Sequence, residues 1–103
     1  MDPSTQPTAW IDNGSSGPLS LQGSFSIGRS PSNQLVLEDR KASRNHAMIH
    51  DQGDAEYFIV DLGSSNGTYV AGKRVVQPTR LTDGVEIQIG ETRLIFRQPA
   101  VQI

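Results

Sequence analysis

Apolar residues in this chain do not recur at helical spacing over any window longer than about ten residues. They fall in short alternating runs, cut by Gly, Ser, Asn, Asp and Pro. Val85, Ile87 and Ile89 point one way while Glu86 and Gln88 point the other. Ala47 and Ile49 likewise oppose His46, Met48 and His50. Such period-two patterning gives one buried and one wet face, as in an antiparallel sheet. Strands are expected over residues 9–12, 24–28, 34–37, 46–50, 57–61, 68–70, 74–77, 85–89 and 92–97. Many short strands separated by turn signals suggest an all-β sandwich or barrel. Residues 13–18 read as a Gly/Ser loop, and residues 51–54 as a tight turn in which Gly53 supplies a positive φ.

A length of 103 residues suits one small domain with one core. Residues 1–7 read as a flexible lead-in, 8–98 as the folded domain and 99–103 as a tail. The chain is also readable as one module of a longer protein. A net charge of −2 argues against a general nucleic-acid binder, so any anion must be captured by a local cluster of cations. With no cysteine there is neither a disulfide nor a zinc–thiolate site. No apolar run is long enough to insert in a membrane, and the polar start lacks signal-peptide character. A cytoplasmic location is therefore expected. The glycosylation-like triplets Asn13-Gly14-Ser15 and Asn66-Gly67-Thr68 then read as turns.

Three loops carry unusual polar groups. Gly28-Arg29-Ser30-Pro31-Ser32-Asn33 follows a strand, and Gly28 lets the chain turn and leaves Arg29 at the sheet end. The planar Arg29 guanidinium is shaped for phosphate, although most single arginines are solvated surface groups. The loop Arg40-Lys41-Ala42-Ser43-Arg44-Asn45-His46 gathers three cations and a hydroxyl before a strand, where a plain basic turn is the bland alternative. In Asp61-Leu62-Gly63-Ser64-Ser65-Asn66-Gly67-Thr68 the Asn66-Gly67 pair signals a hairpin. A hairpin alone does not explain the serines before it and the threonine after it.

In order and spacing, these blocks resemble the forkhead-associated (FHA) domain family. The resemblance rests on Gly28-Arg29, Ser43-Arg44-Asn45-His46, Asp61 to Thr68, Gly72, Asp83-Gly84 and Ile89-Gly90, and runs from about Ser24 to Phe96. It implies a β-sandwich with ligand-binding loops at one end, and a module that binds phosphothreonine in partner proteins without a cofactor. On this resemblance Arg29, Ser43 and Ser65 contact the phosphate or the backbone beside it. Arg44 adds charge and an amide, Lys41 a further basic contact, and Asn66 holds the peptide main chain. Gly28, His46 and Gly67 support the loops. Ala71 departs from the pattern, standing where many members carry Asn, which weakens a turn contact. The loop around Glu91-Thr92, or residues 30–33, would select the amino acid three places after the phosphothreonine, and Glu91 would favour a basic one.

Phosphothreonine carries about −1.5 to −2 charges and three strong acceptor oxygens, so it needs convergent donors. Two or three charge-assisted hydrogen bonds at about 1.5–3 kcal/mol each, with backbone contacts, reach micromolar affinity without a deep pocket. A same-fold domain that binds without phosphate is the first alternative. An enzyme is the second, with no phosphate-binding Gly-rich loop, no nucleophile elbow and no acid placed to orient His46 beside Ser43. Ser4, Thr5 and Thr8 are phosphorylatable in principle and raise the idea of binding by a second copy.

Overall fold

The computed structural model describes residues 9–13, 17–53 and 55–99. The expected lead-in, most of the tail, and the residues at 14–16 and 54 lie outside them. Among the described residues there are eleven strands and no helix. They are β1 (Trp10–Asp12), β2 (Pro18–Ser20), β3 (Ser24–Gly28), β4 (Leu35–Val36), β5 (Ala47–Asp51), β6 (Tyr57–Asp61), β7 (Thr68–Val70), β8 (Lys73–Arg74), β9 (Thr79–Arg80), β10 (Glu86–Ile89) and β11 (Thr92–Arg97).

The strands form two sheets, ordered β2-β1-β11-β10-β7-β8 and β4-β3-β5-β6-β9. Their inner faces enclose one core, with Ile11, Ile27, Ile49, Ile59, Ile87, Ile89, Leu94 and Phe96 fully buried. Each such side chain contributes about 1.5–3 kcal/mol on burial. The alternation read from the sequence holds here: Ile87 and Ile89 face inward while Glu86 and Gln88 are half-buried on the outer side. Tyr57 and Phe96 meet across the core with ring centroids 5.7 Å apart.

Four features depart from the sequence-based expectation. The β3–β4 pair is parallel, Ile27 opposite Leu35 and Gly28 opposite Val36, because the chain folds back at residues 30–33 and runs again in the direction of β3. β2 and β9 are short edge strands with too few residues to show alternation. The strand expected at 74–77 is only the pair Lys73–Arg74 of β8. His46 is fully buried rather than on the wet face, since it precedes β5 and turns its ring between loops.

The register fixes which loops meet. In one sheet Ile27 pairs with Ala47 and Ala47 with Asp61. In the other Ile89 pairs with both Thr68 and Thr92. The Thr68 hydroxyl donates to Asp61 Oδ2 at 2.7 Å, which ties the two strand ends together. The loops at 28–34, 38–46, 62–67 and 90–91 therefore share one rim.

Candidate functional site

At the rim, β3 continues into a backbone ladder with the segment before β5. Arg29 N–H donates to the Ser43 carbonyl at 2.9 Å, Ser30 N–H to Arg44 at 3.1 Å, and His46 N–H to Ile27 at 2.9 Å. Gly28 makes this approach feasible: a Cβ there would lie 2.0 Å from the Arg44 carbonyl oxygen. The Arg29 side chain is anchored by its Nε, which donates to the Ala42 carbonyl at 3.0 Å, while the residue stays exposed. Its terminal nitrogens are left for a ligand. Asn33 is buried and donates from Nδ2 to the carbonyls of Arg44 (2.7 Å) and Ser30 (3.0 Å). It braces the turn from inside and does not face a ligand.

His46 joins two loops. Its Nδ1 accepts the Ser43 backbone N–H at 2.9 Å, so the ring proton sits on Nε2, which donates to the Gly67 carbonyl at 2.9 Å. Both ring nitrogens are spent on backbone, which is why a polar ring can be fully buried here. Neither nitrogen addresses the Ser43 hydroxyl. That hydroxyl oxygen instead accepts the Ser65 backbone N–H at 3.1 Å and keeps its own O–H to donate outward. Arg29, Ser43 and Ser65, far apart in sequence, are thus joined at one place.

The third loop is organised by Asp61. Its carboxylate accepts the amides of Gly63 (2.9 Å) and Ser64 (2.8 Å) and the hydroxyls of Ser64 (2.6 Å) and Thr68 (2.7 Å). Burial pushes the Asp61 carboxyl up, but these hydrogen bonds outweigh it and hold the group below the usual carboxylate range. The Ser64 hydroxyl in turn accepts Gly67 N–H at 2.9 Å. Ser65 and Asn66 are held exposed at the tip. Asn66 Nδ2 donates to the Lys41 carbonyl at 2.9 Å, and its Oδ1 accepts no hydrogen bond from the described residues.

Asp39 plays the matching part on the other side. It accepts the amides of Lys41 (2.9 Å) and Glu91 (2.8 Å) and the Thr92 hydroxyl (2.8 Å). The Lys41 amide, then the Thr92 hydroxyl, lower the carboxyl below its ordinary range; slight burial opposes them, and the Glu91 amide and the Lys41 charge add to the lowering. Lys41 Nζ reaches Glu91 Oε2 at 3.1 Å, an exposed pair closing the gap between the two loops. Between Asn66 and Gly90 lies an open depression of about 390 Å³ lined by Lys41, Asn66, Tyr69, Gln88 and Gly90. Sequence reasoning missed Asp39, Asn33 and the bracing side of Asp61. Only the short polar side chains beside turn residues hinted at them.

Charge is distributed unevenly. On the outer sheet faces Arg80, Arg93 and Arg97 sit 4.0, 3.3 and 3.3 Å from Glu56, Glu86 and Asp83. At the rim Lys41 alone has a carboxylate partner among the described residues, whereas Arg29, Arg40, Arg44 and Arg74 have none. Although the chain is net negative, the rim collects cations and outward-facing hydroxyls around one spot. No group of three or more metal-ligating side chains occurs among the described residues.

A rigid two-sheet scaffold with donor-bearing loops gathered at one end defines a loop-presenting binding module of the sandwich class. Residues 25–90 match the FHA domain family. The chain is 43% identical over 75 residues to an oxoglutarate dehydrogenase inhibitor of Corynebacterium jeikeium, covering 73% of this chain and 51% of that protein. A solved FHA domain from work on phosphothreonine-dependent FHA domain interactions is 35% identical, with a TM-score of 0.79 over 90% of this chain and 96% of that one. Mycobacterium tuberculosis EmbR in complex with a low-affinity phosphopeptide is 36% identical, with a TM-score of 0.81 over 95% of this chain and 26% of that one. The chain belongs to the FHA family. It spans about half the length of the curated relatives it matches. Among the described residues no helix is long and apolar enough to cross a membrane.

Proposed function

We propose that this domain binds a phosphothreonine-bearing segment of a partner protein and so mediates a phosphorylation-dependent interaction in signalling. The observation that carries the reading is the convergence of Arg29, Ser43 and Ser65, with the Ser65 amide on Ser43 Oγ at 3.1 Å and the Arg29 amide on the Ser43 carbonyl at 2.9 Å. Arg29 and Arg44 supply charge, and the Ser43 and Ser65 hydroxyls donate to phosphate oxygens. Asn66 holds the peptide backbone through its free Oδ1, and Lys41 adds a basic contact. Gly28, His46 and Gly67 shape the loops. Recognition of a phosphorylated motif by an arginine cluster is a recurrent mode, and FHA domains are one of its named examples.

The domain, assigned to residues 8–98, acts as a reader and carries out no catalysis. Both ring nitrogens of His46 are committed to backbone, so His46 is no general base for the Ser43 hydroxyl. A cytoplasmic setting and a place within a longer protein fit this role. Of the segments first considered for selecting the third residue after the phosphothreonine, Asn33 and Thr92 are turned inward. That leaves Ser30, Pro31, Ser32 and Glu91; Lys41 already offsets the charge of Glu91, so we expect its preference for a basic residue to be weak.

Titration of matched phosphorylated and unphosphorylated peptides tests the proposal. Arg29→Ala is expected to lose about 2–5 kcal/mol of affinity for the phosphorylated peptide, the range for removing one member of a hydrogen-bonded charge pair. The fold should persist, since the side chain is exposed. Equal affinity of the wild type for both peptides would refute the reading.

A further inference from the structure

Arg74 was not among the residues that sequence reasoning placed at the rim. Its Cα lies opposite Tyr69 in the β7–β8 hairpin. Yet its guanidinium does not stay there. The position that a Cβ on Gly67 would occupy lies 3.1 Å from Arg74 Nε, 3.2 Å from Arg74 Cζ and 3.3 Å from Tyr69 Cε1. The side chain therefore runs along the sheet, toward the rim, and ends against the Asn66-Gly67 turn. Gly67, with φ +89°, leaves the room this path needs.

Two observations give that position meaning. First, Arg74 has no carboxylate partner among the described residues, unlike the arginines on the outer sheet faces. Second, the Tyr69 ring, which like the guanidinium lies against Gly67, also lines the depression between the Asn66 turn and Gly90. An exposed, unmatched guanidinium beside the Asn66-Gly67 turn, across Tyr69 from that depression, is a fork of donors for an anion.

We infer that Arg74 is a specificity-determining residue, which contacts an anionic group, carboxylate or second phosphate, in the residues flanking the bound phosphothreonine. The inference rests on the phosphothreonine reading of the rim and adds a separate contact to it. Lys73, at the end of β8 away from the rim, does not share this role.

The test is calorimetric titration of the domain with phosphothreonine peptides carrying Ala, Asp or phosphoserine at each flanking position in turn. At one position or two adjacent ones, an acidic group should tighten wild-type binding about two- to fivefold over Ala, the scale of an exposed ion pair. Arg74→Gln should abolish that gain and leave the Ala peptides unchanged, while Arg80→Gln should preserve it. A gain with Asp identifies a carboxylate as sufficient; a gain with phosphoserine alone identifies a second phosphate. The inference fails if no position shows a gain, or if Arg74→Gln weakens every phosphopeptide equally. If the Ala peptides bind no better than their unphosphorylated forms, the reading of the rim itself fails, a result distinct from the other two.

Discussion

The two ends of the sandwich are built by different rules. Turns at the far end combine local closures, Gly53 N–H on Asp51 at 2.9 Å, Glu56 N–H on Gly53 at 3.0 Å and Val85 N–H on Thr82 at 3.1 Å, with longer links such as Asp51 N–H on the Gly23 carbonyl at 3.1 Å and Gln98 N–H on Asp83 at 2.8 Å. The Gln98 side chain adds a strap to the Ala55 carbonyl. Loops at the rim close on each other. Asn33 holds Arg44, Asn66 holds Lys41, His46 links Ser43 to Gly67, and Asp39 links Lys41 to Glu91 and Thr92. Local closure lets a turn vary alone. Mutual closure makes the loops one unit, which suits groups that must hold a fixed geometry around a ligand.

The largest test of this contrast is Gly28→Val. The added carbon atoms meet the Arg44 backbone, which cannot swing aside as a side chain would. Unfolding by urea should show a loss of more than about 3 kcal/mol. Survival of the fold with only a small loss would break the idea of a rigid rim.

Asp61→Asn is next, at about 1–3 kcal/mol at neutral pH, because an amide cannot accept all four of the donors that meet the carboxylate. The acid limb carries a sign. The carboxyls of Asp61 and Asp39 are held low in the fold, so the stability they contribute is full above about pH 4, the unfolded value. It is lost as the pH falls through their folded values. Thermal melts at stepped pH should show wild type weakening below about pH 4, and the Asp61→Asn variant following a shallower slope.

The smallest effect belongs to the far end. Ala71 and Gly72 form a two-residue hairpin loop between β7 and β8 with φ of 52° and 80°. Both angles are positive, a geometry that Asn-Gly fills well and alanine fills with strain. Ala71→Asn should therefore stabilise the domain by about 0.5–1 kcal/mol with no change in peptide affinity. A changed affinity would show that the two ends are less separate than their hydrogen bonds indicate.

The sequence was informative where structure is local. Four of the expected strands, at 24–28, 57–61, 68–70 and 92–97, match β3, β6, β7 and β11 residue for residue, because short apolar or alternating runs are bounded there by turn residues. Two- and three-residue edge strands such as β9 and β2 have no period to detect. The polar loops stood out through their Gly-Arg, Ser-Arg and Asn-Gly signals. Asp39 and Asn33 did not, since their partners are backbone groups as much as 52 residues away that only the register brings near. His46 was misplaced for a related reason: alternation describes a strand, and His46 stands just before one.

The uneven pairing of cations has a kinetic side. Arginines on the sheet faces have a carboxylate within 4.0 Å, while Arg29, Arg40, Arg44 and Arg74 at the rim have none and present a local positive field to solvent. A phosphorylated segment diffusing nearby is turned toward the correct end before it touches. Added salt, which shortens the reach of that field to about 8 Å at physiological strength, should slow capture far more than it hastens release.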